Sequence, residues 1–528
     1  MLNRRSFVTG TTGLAGLALA SRFDTAAAAG VRGHAGLLRA GQQATPVPGG
    51  TLISATTTGP TGLDPHSVAL LANFRITRLM YSSLVNLAND LSPQPGLAEA
   101  WETPDNLTYI FHLRPGVKFH NGREMDSGDV KYSIERIQAE ATAAWARGQF
   151  TGISTIETPD PLTVKLTLSA PFSGQIAPMY NLLVVPVEVK DQPADYLMTN
   201  AIGTGPFKLE SINPDVEIVL VKNADYWEDG LPYLDGVTIR IIPDENSVLA
   251  ALETGDVHHY VLEDNKNYAP LESAGTLQLA TIPAIGTNVI NINHRKPELA
   301  NLKVRQALSI AMNRDEILQI AGSGVGVVSG PIPPTHALYT VPTSELAFYQ
   351  QDVEGAKALL AEAGFADGFD MDILYIPAYP LMELSAITLA AQWQAIGIRA
   401  EPRSTEVGVW LDLRTVTFDY YISTNLDFPT IDPDVYLYDT FHSNSAPAGW
   451  DAWSDPELDA LLEQGHATVD VPERQAIFTQ AQKMLVERCA AYWSYAQNFV
   501  TVLQPNVMGF EPHPSGYPFG LTRTWIQQ

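Results

Sequence analysis

Three carboxylates in a short segment are the side chains of this sequence whose types and spacing best suit ligand binding. The segment from Phe418 to Asp434 begins as an aromatic-rich strand and runs into a loop that holds Asp427, Asp432 and Asp434. In a cleft closed to water, a carboxylate makes charge-assisted hydrogen bonds worth about 1.5–3 kcal/mol each, enough to select a cationic group. A plainer interpretation stays open, in which these aspartates cap helices or accept hydrogen bonds from loop amides.

The motifs of hydrolases and metalloenzymes are missing from the sequence. It has no Gly-x-Ser-x-Gly, His-Glu-x-x-His or Cys-x-x-Cys, and the glycine-rich stretch 322–326 lacks the Lys-Ser/Thr ending of a phosphate loop. His258 and His259 are adjacent, so on a strand they would point to opposite sides and not share a ligand. We therefore expect no enzyme activity, no cofactor and no metal site, although catalytic residues scattered along the chain stay an open alternative.

The bulk composition narrows the class of partner. The 528 residues are 45% hydrophobic and 17% charged, which is typical of a globular protein with more than one domain. A formal net charge of −26 argues against a nucleic-acid partner, which would require a basic face. The same charge leaves a cationic ligand open, but an acidic surface that only keeps the protein soluble is the simpler explanation.

The N-terminus has the form of an export signal. Arg4 and Arg5 precede an apolar stretch from Val8 to Ala20, too short to span a membrane, and small residues at Thr25–Ala29 offer a cleavage point. We predict a twin-arginine signal over residues 1–29, with a general secretory signal as the alternative, and a flexible leader over residues 30–45. Either route delivers the mature chain outside the cytoplasm.

Alternating and helical patterns indicate the elements that must position the carboxylate loop. Tyr109, Phe111 and Leu113 alternate with other residues as in a strand, and Asp126 is placed to cap a following helix. After about residue 285, strand and helix patterns alternate, which predicts α/β layering. A later helix, beginning near residue 454, is expected to end at Gly465.

One segment resembles the signature of a known protein family. It runs from Tyr109 to Lys131 and combines a strand, two turns and the start of a helix. In residue types and spacing it is similar to family 5, the peptide/nickel branch, of bacterial extracellular solute-binding proteins, which serve ABC importers. Further similar segments are Gly203–Leu209, Asn223–Glu228, Leu234–Asp244, Asn301–Ala311, Gly330–Pro333, Ala356–Gly364, Asp432–Asp434 and Asp455–Leu462. The resemblance extends, with gaps, from about residue 60 to 500.

The resemblance implies a fold and a set of domain boundaries. The fold would be α/β with the two-lobed type II periplasmic-binding architecture and an extra subdomain inserted in lobe I. By that analogy lobe I covers residues 46–285, lobe II covers residues 286–498, and residues 499–528 return to lobe I. Since no cysteine lies near the predicted cleavage point, the resemblance favours a freely diffusing periplasmic protein over a lipid-anchored one.

The resemblance also implies site residues. In peptide-binding members of the family, an aspartate at the position of Asp427 holds the α-ammonium group of the ligand. The backbone around Asn425 would then pair with the extended main chain of the ligand, and Trp410, Tyr421 and Tyr81 would line the cleft. For each of the three aromatic residues, a role in the core stays open.

Two positions depart from the pattern of oligopeptide binders. Val407 stands where those proteins carry an aromatic platform, and Ile422 stands where some carry an arginine for the peptide carboxylate. Both departures argue against a tripeptide or longer ligand.

The function implied by the resemblance is that of the periplasmic receptor of an ABC importer. We expect a dipeptide or a peptide-like, amine-bearing solute, bound by a monomer and delivered unchanged to a membrane permease and its ATPase. Alternatives within the class are a nickel chelate, an opine, haem or an oligosaccharide. Outside the class, an exported hydrolase and a chaperone or sensor subunit remain.

Overall fold

The computed structural model describes residues 45–68, 70–213, 215–426 and 431–527. The predicted export signal, residues 1–29, lies outside these residues, as does the predicted leader except for Thr45.

The described residues form strands and helices in mixed order. The strands are β1 (Thr51–Thr56), β2 (Val85–Leu87), β3 (Pro93–Pro95), β4 (Ala98–Glu102), β5 (Thr108–Leu113), β6 (Ile153–Asp160), β7 (Thr163–Leu168), β8 (Phe207–Asn213), β9 (Glu217–Lys222), β10 (Gly236–Ile241), β11 (His259–Val261), β12 (Gln278–Pro283), β13 (Asn288–Ile292), β14 (Gly326–Val328), β15 (Asp370–Tyr375), β16 (Arg399–Ser404), β17 (Ile422–Leu426), β18 (Ala491–Trp493), β19 (Tyr495–Leu503), β20 (Val507–Met508) and β21 (Trp525–Ile526). The α-helices are α1 (Leu71–Met80), α2 (Ser127–Gln138), α3 (Arg147–Phe150), α4 (Tyr196–Thr199), α5 (Glu245–Thr254), α6 (Tyr268–Ala274), α7 (Pro297–Ala300), α8 (Leu302–Ala311), α9 (Arg314–Ala321), α10 (Val353–Glu362), α11 (Pro380–Gln394), α12 (Val407–Thr415), α13 (Pro433–Phe441), α14 (Ala446–Asp451), α15 (Pro456–Ala467) and α16 (Val471–Glu487).

Two large sheets organise the molecule into two lobes. The sheet of lobe I has eight strands in the order β12-β19-β11-β1-β10-β9-β8, with β14 paired to β19. The sheet of lobe II has five strands in the order β16-β15-β17-β13-β18. Helices α8–α11 cover the second sheet, and their apolar side chains form a core around the fully buried Trp393. The alternation of strands and helices after residue 285 is confirmed in this lobe.

The segment that carries the family resemblance builds a separate antiparallel sheet, β4-β5-β7-β6, inserted in lobe I. Tyr109, Phe111 and Leu113 turn their side chains into its core, as predicted. Asp126 caps α2: its Oδ1 accepts a hydrogen bond from the Gly128 amide at 2.8 Å, and the Asp126 amide donates to Asp129 at 2.9 Å. This reciprocal capping fixes the start of the helix against the preceding strand.

The glycines of the segment Gly203–Leu209 permit a close backbone contact. The Gly205 amide donates to the Met80 carbonyl at 2.9 Å, and a methyl group built on Gly203 would overlap that carbonyl and the ring of Tyr81. Only residues without a side chain fit here, at the end of α1.

The chain passes between the lobes where one strand of each sheet follows the other. β12 ends at Pro283 and β13 begins at Asn288, and β18 ends at Trp493 only two residues before β19 begins. Residues 495–497 of β19 pair with β14, whose residues lie in the predicted lobe II, and pairing with β12 begins at Asn498. The second crossing therefore falls close to the predicted boundary at residue 498, and the boundaries themselves stay a prediction. The apolar run from Ala490 to Ala496 gives no break in the sequence that would mark this crossing.

Candidate functional site

The start of β13 and the end of β17 meet beside the crossings between the lobes. The two strands are antiparallel, with Asn288 opposite Leu426 and Val289 opposite Asn425. At the second crossing, the Ser494 hydroxyl donates to Asn288 Oδ1 at 2.7 Å, and the Ser494 amide donates to the Asn288 carbonyl at 3.1 Å. These bonds tie the hinge to the start of β13, which pairs with the end of β17 that leads into the carboxylate loop.

Asn425 lies on this strand end, next to the hinge. Its carbonyl accepts a hydrogen bond from the Asn288 side chain at 3.4 Å. Parallel pairing between β15 and β17 ends at Ser423, whereas β17 itself continues to Leu426. The strand therefore extends beyond its neighbour β15 towards the cleft between the lobes.

Asp427 lies outside the described residues, so its predicted role stays a prediction. The far side of the loop is anchored by Asp432, whose Oδ1 accepts from the Asp434 amide at 2.9 Å and so caps α13. The same carboxylate accepts two hydrogen bonds from the Arg474 guanidinium, at 2.5 and 3.0 Å, in a buried, bidentate pair. Such a pair is geometrically specific, and it fixes where the loop ends.

Asp434 is a buried carboxylate with a hydrogen-bond partner at one of its two oxygen atoms. His466 Nδ1 lies 2.8 Å from Asp434 Oδ2, while Oδ1 is buried and has no hydrogen-bond partner among the described residues. Burial raises the pKa of Asp434, and the hydrogen bond with His466 opposes that rise. Of the three carboxylates singled out in the sequence, two therefore have structural partners.

The two lobes contact each other beside this loop. The Ser173 amide donates to the His466 carbonyl at 2.9 Å, and the Ser173 hydroxyl donates to the Gly465 carbonyl at 3.1 Å. The rings of Phe172 and His466 stack with their centroids 4.8 Å apart. Since Phe172 and Ser173 belong to lobe I and His466 to lobe II, these contacts exist only while the lobes are close together.

Trp410 is buried and attaches α12 to β17. Its indole Nε1 donates to the Ser423 hydroxyl at 2.9 Å, and the Arg414 guanidinium lies 4.8 Å from its ring centre. The residue is near Asn425 in the structure, but its polar atom is already engaged by the protein.

Tyr421 lies at the opposite end of β17 from the cleft, about 16 Å along the strand from Leu426. Its ring lies 4.6 Å from Lys296 Nζ and lines an open groove of about 870 Å³ beside β15, β16 and α11 of lobe II. The structure does not bring Tyr421 together with Asn425 and Trp410.

Tyr81 is 2% exposed and packs in the core of lobe I with Leu52, Met80 and Phe207. Burial raises the pKa of its phenol. In this conformation its ring is covered rather than presented to the cleft, which agrees with the core role left open by the sequence.

An aromatic cluster on lobe I, missed by the sequence reasoning, faces the carboxylate loop. Tyr180, Tyr517 and Phe519 surround the Arg78 guanidinium at 4.0, 4.8 and 5.8 Å, and Ile431 of the carboxylate loop packs on the same cluster. Tyr180 and Arg78 are more than three hundred residues from Tyr517 and Phe519 in the sequence, so no local spacing could indicate that they meet.

Comparison with known proteins decides the family. The model of the bacterial extracellular solute-binding proteins, family 5, matches residues 92–448. The chain belongs to this family. As a family 5 protein it has the two-lobed fold of periplasmic binding proteins, so the predicted fold class is confirmed. Members of the family bind small molecules or peptides and work with an ABC permease and its ATPase.

Three proteins that are similar to this family 5 protein carry different names. Heme-binding protein A of Haemophilus influenzae is 27% identical over 505 residues, covering 88% of this chain and 91% of the relative. The glutathione-binding protein GsiB of Shigella boydii is 27% identical over 478 residues, covering 87% and 91%. The structure of HbpA2 from Haemophilus parasuis is 27% identical, with a TM-score of 0.82, and covers 91% of this chain and 100% of that chain.

The described residues contain neither a membrane-spanning helix nor a cluster of metal-binding side chains. Within residues 45–527, apart from the gaps, no helix has the length and apolar character needed to cross a bilayer. In the same part of the chain, no group of three or more His, Cys, Asp or Glu side chains could hold a metal ion.

Proposed function

We propose that this family 5 protein is the periplasmic receptor of an ABC importer and captures a dipeptide or a peptide-like, amine-bearing solute. The observation that carries the proposal is the position of the two ends of the acidic loop: the end of β17 lies at the hinge, and the start of α13 lies beside the contacts between the lobes. Asp432 is paired with Arg474 and Asp434 with His466. We assign the third carboxylate, Asp427, to the ammonium group of the solute.

The mechanism follows from the two lobes. A solute that touches both lobes binds the closed form more tightly than the open form, so it shifts the hinge equilibrium towards closure. The ammonium group binds Asp427, and the main chain of the solute runs along β17 near Asn425, where the strand extends beyond β15. Trp410 supports this strand through Ser423 and positions it rather than touching the solute.

Export to the periplasm and recognition by a membrane permease complete the proposed function. The twin-arginine segment exports the folded chain to the periplasm, where it acts as a monomer. The closed form is recognised by the permease, and the solute is released chemically unchanged. The relatives named for binding glutathione and haem support a binding role, and glutathione is itself a peptide with an amino group.

A charge-neutral variant tests the ammonium site. We expect Asp427→Asn to weaken binding of dipeptides or reduced glutathione about tenfold to a hundredfold, because one charge-assisted hydrogen bond is lost. Isothermal titration calorimetry on the mature protein measures this. Asp229→Asn, at an exposed position of lobe I, is the matched control and should leave the affinity unchanged.

Mass spectrometry of the solute that copurifies from the native periplasm tests the ligand class. A peptide or other primary amine agrees with the proposal. A solute without an amino group, or equal affinity of wild type and Asp427→Asn for an amine, would remove the ammonium site.

A further inference from the structure

A small cavity in lobe I is lined by an arginine that forms no ion pair with a carboxylate of the described residues. It lies between the sheet and α1, and its walls include Ser54 and Thr56 of β1, Arg75 of α1, His259 of β11 and Pro518. Its volume is about 30 Å³. A cavity of that size has room for about two water molecules, or for the two oxygen atoms of one carboxylate.

Arg75 is partly buried, and its charge is poorly compensated. Its Nε donates to the Gly516 carbonyl at 3.2 Å, yet no ion pair within the described part of the chain includes Arg75. Burial lowers the pKa of its guanidinium, and the more distant Glu263 opposes this. A guanidinium that has lost much of its water and gained no counter-ion binds an anion favourably, and its planar fork fits a carboxylate.

His259 adds a second polar group to the same wall. Its Nδ1 lies 2.9 Å from the Ser54 hydroxyl, while Nε2 is buried and has no partner among the described residues. Burial lowers the pKa of His259 to about 3, so the imidazole is neutral at the pH of the periplasm. When the Ser54 hydroxyl donates to Nδ1, the proton of the neutral ring sits on Nε2, and that N–H needs an acceptor.

The cavity is connected through Arg75 to the part of lobe I that meets lobe II. Its polar walls lie on β1 and β11, which are parallel neighbours in the sheet, and Thr56 is the last residue of β1. Arg75 also holds Gly516, and the next residue, Tyr517, packs in the cluster that contains Ile431 of lobe II. Arg75 is therefore tied to the chain segment that meets the acidic loop.

We infer that Arg75, with Ser54 and His259, forms an anion subsite in lobe I that takes a carboxylate of the solute. This inference rests on the proposed function for the identity of the solute, but not for the existence of the subsite. The solute would then be held by opposite charges on the two lobes, its ammonium group on lobe II and its carboxylate on lobe I. A solute with both charges closes the cleft, whereas one that lacks either charge binds only one lobe well.

Acetate is the probe for the subsite, because it is the smallest stable organic carboxylate. The melting temperature of the mature protein is measured in sodium acetate and in sodium chloride at matched ionic strength. We expect a saturable rise with acetate in wild type, an affinity about tenfold lower in Arg75→Gln, and a partial loss in Arg75→Lys. Arg399→Gln, at an exposed position of β16, is the matched control and keeps the full response.

A second variant covers the case in which Arg75→Gln fails to fold. Ser54→Ala leaves Arg75 in place and removes the hydroxyl that orients His259, so acetate should bind several-fold more weakly. The inference is overturned if wild type shows no saturable response, which is the outcome expected for a cavity that holds water only. It is equally overturned if all variants respond to acetate as wild type does.

The two charged sites can fail separately. Loss of the acetate response in Arg75→Gln with no effect of Asp427→Asn on solute binding would retain the anion subsite and reject the ammonium site. The reverse pattern would retain the proposed function and reject the subsite. Where both hold, a dipeptide amide should bind more weakly than the free dipeptide in wild type but equally in Arg75→Gln.

Discussion

At the scale of single residues, the glycines of the family segments matter because they have no side chain and so permit close backbone contacts. Gly203 brings the chain against the Met80 carbonyl at the end of α1, and Gly205 donates its amide to that same carbonyl. The turn therefore connects the inserted subdomain to the core of lobe I without room for a side chain. The sequence identifies such glycines, but the atom that each one approaches is visible only in the fold.

A methyl group at Gly203 should destabilise the protein strongly. In Gly203→Ala the new Cβ would overlap the Met80 carbonyl, and because backbone cannot move aside cheaply we expect a loss of at least about 3 kcal/mol. Urea denaturation followed by circular dichroism measures the loss. Gly148→Ala is the control, since nothing lies within 4 Å of its Cβ in helix α3, and it should change stability by less than about 1 kcal/mol.

At the scale of elements, regular patterns predict the strands and helices well, and tertiary contacts explain the exceptions. The alternation at Tyr109–Leu113 and the cap at Asp126 are confirmed because both depend on neighbouring residues only. The predicted end of a helix at Gly465 is wrong, since α15 continues to Ala467. Gly465 faces the ring of Phe478 on α16, so its missing side chain serves helix packing rather than helix termination.

The candidate site likewise combines features that local sequence patterns predict with features that depend on tertiary contacts. The position of Asn425 at the hinge follows from a strand that the sequence predicts. The burial of Tyr81 and the location of Tyr421 at the far end of β17 depend on long-range packing, which single-residue properties do not indicate. Arg78, Tyr180 and Tyr517 come together from segments more than a hundred residues apart, beyond the reach of any spacing rule.

The contact between α15 and lobe I should influence closure. Ser173→Ala removes one hydrogen bond to the Gly465 carbonyl, worth about 0.5–1.5 kcal/mol, so we expect the ratio of open to closed protein to rise about twofold to tenfold. Fluorescence energy transfer between one label on each lobe measures this, because the single native cysteine, Cys489, is buried and leaves introduced cysteines to react.

Ser154→Ala is the matched control for closure. Its hydroxyl donates to the Thr167 carbonyl at 2.9 Å within the inserted sheet, so no contact between the lobes is lost. If Ser173→Ala gives the same distance distribution as this control, the Ser173 bond does not contribute to closure.

At the scale of the whole molecule, buried histidines set the response to acid. Burial lowers the pKa of five of them to about 3 or 4: His66, His120, His259, His294 and His513. Because an unfolded histidine titrates near 6.5, the unfolded chain takes up protons that the folded chain excludes between about pH 6.5 and 4. Their stabilising contribution is complete above that window and is lost as the pH falls through it.

Replacing one of these histidines should make the acid response shallower. Each excluded proton adds about 1.4 kcal/mol of lost stability per pH unit inside the window, so His294→Gln should reduce the slope by about that amount. Glutamine can keep a hydrogen bond to the Ala490 carbonyl, which His294 Nε2 approaches at 3.0 Å. Urea denaturation at a series of pH values gives the slopes; equal slopes for wild type and variant would contradict the assignment.

The position of β19 in its sheet also affects the order in which the sheets can form during synthesis. This strand, residues 495–503, lies between β12 and β11, so the central part of the lobe I sheet stays incomplete until nearly the whole polypeptide has left the ribosome. The inserted sheet, by contrast, is built from one continuous stretch, residues 98–168. A nascent chain can therefore complete the inserted sheet early, whereas the sheet of lobe I can be completed only after β19 has been synthesised.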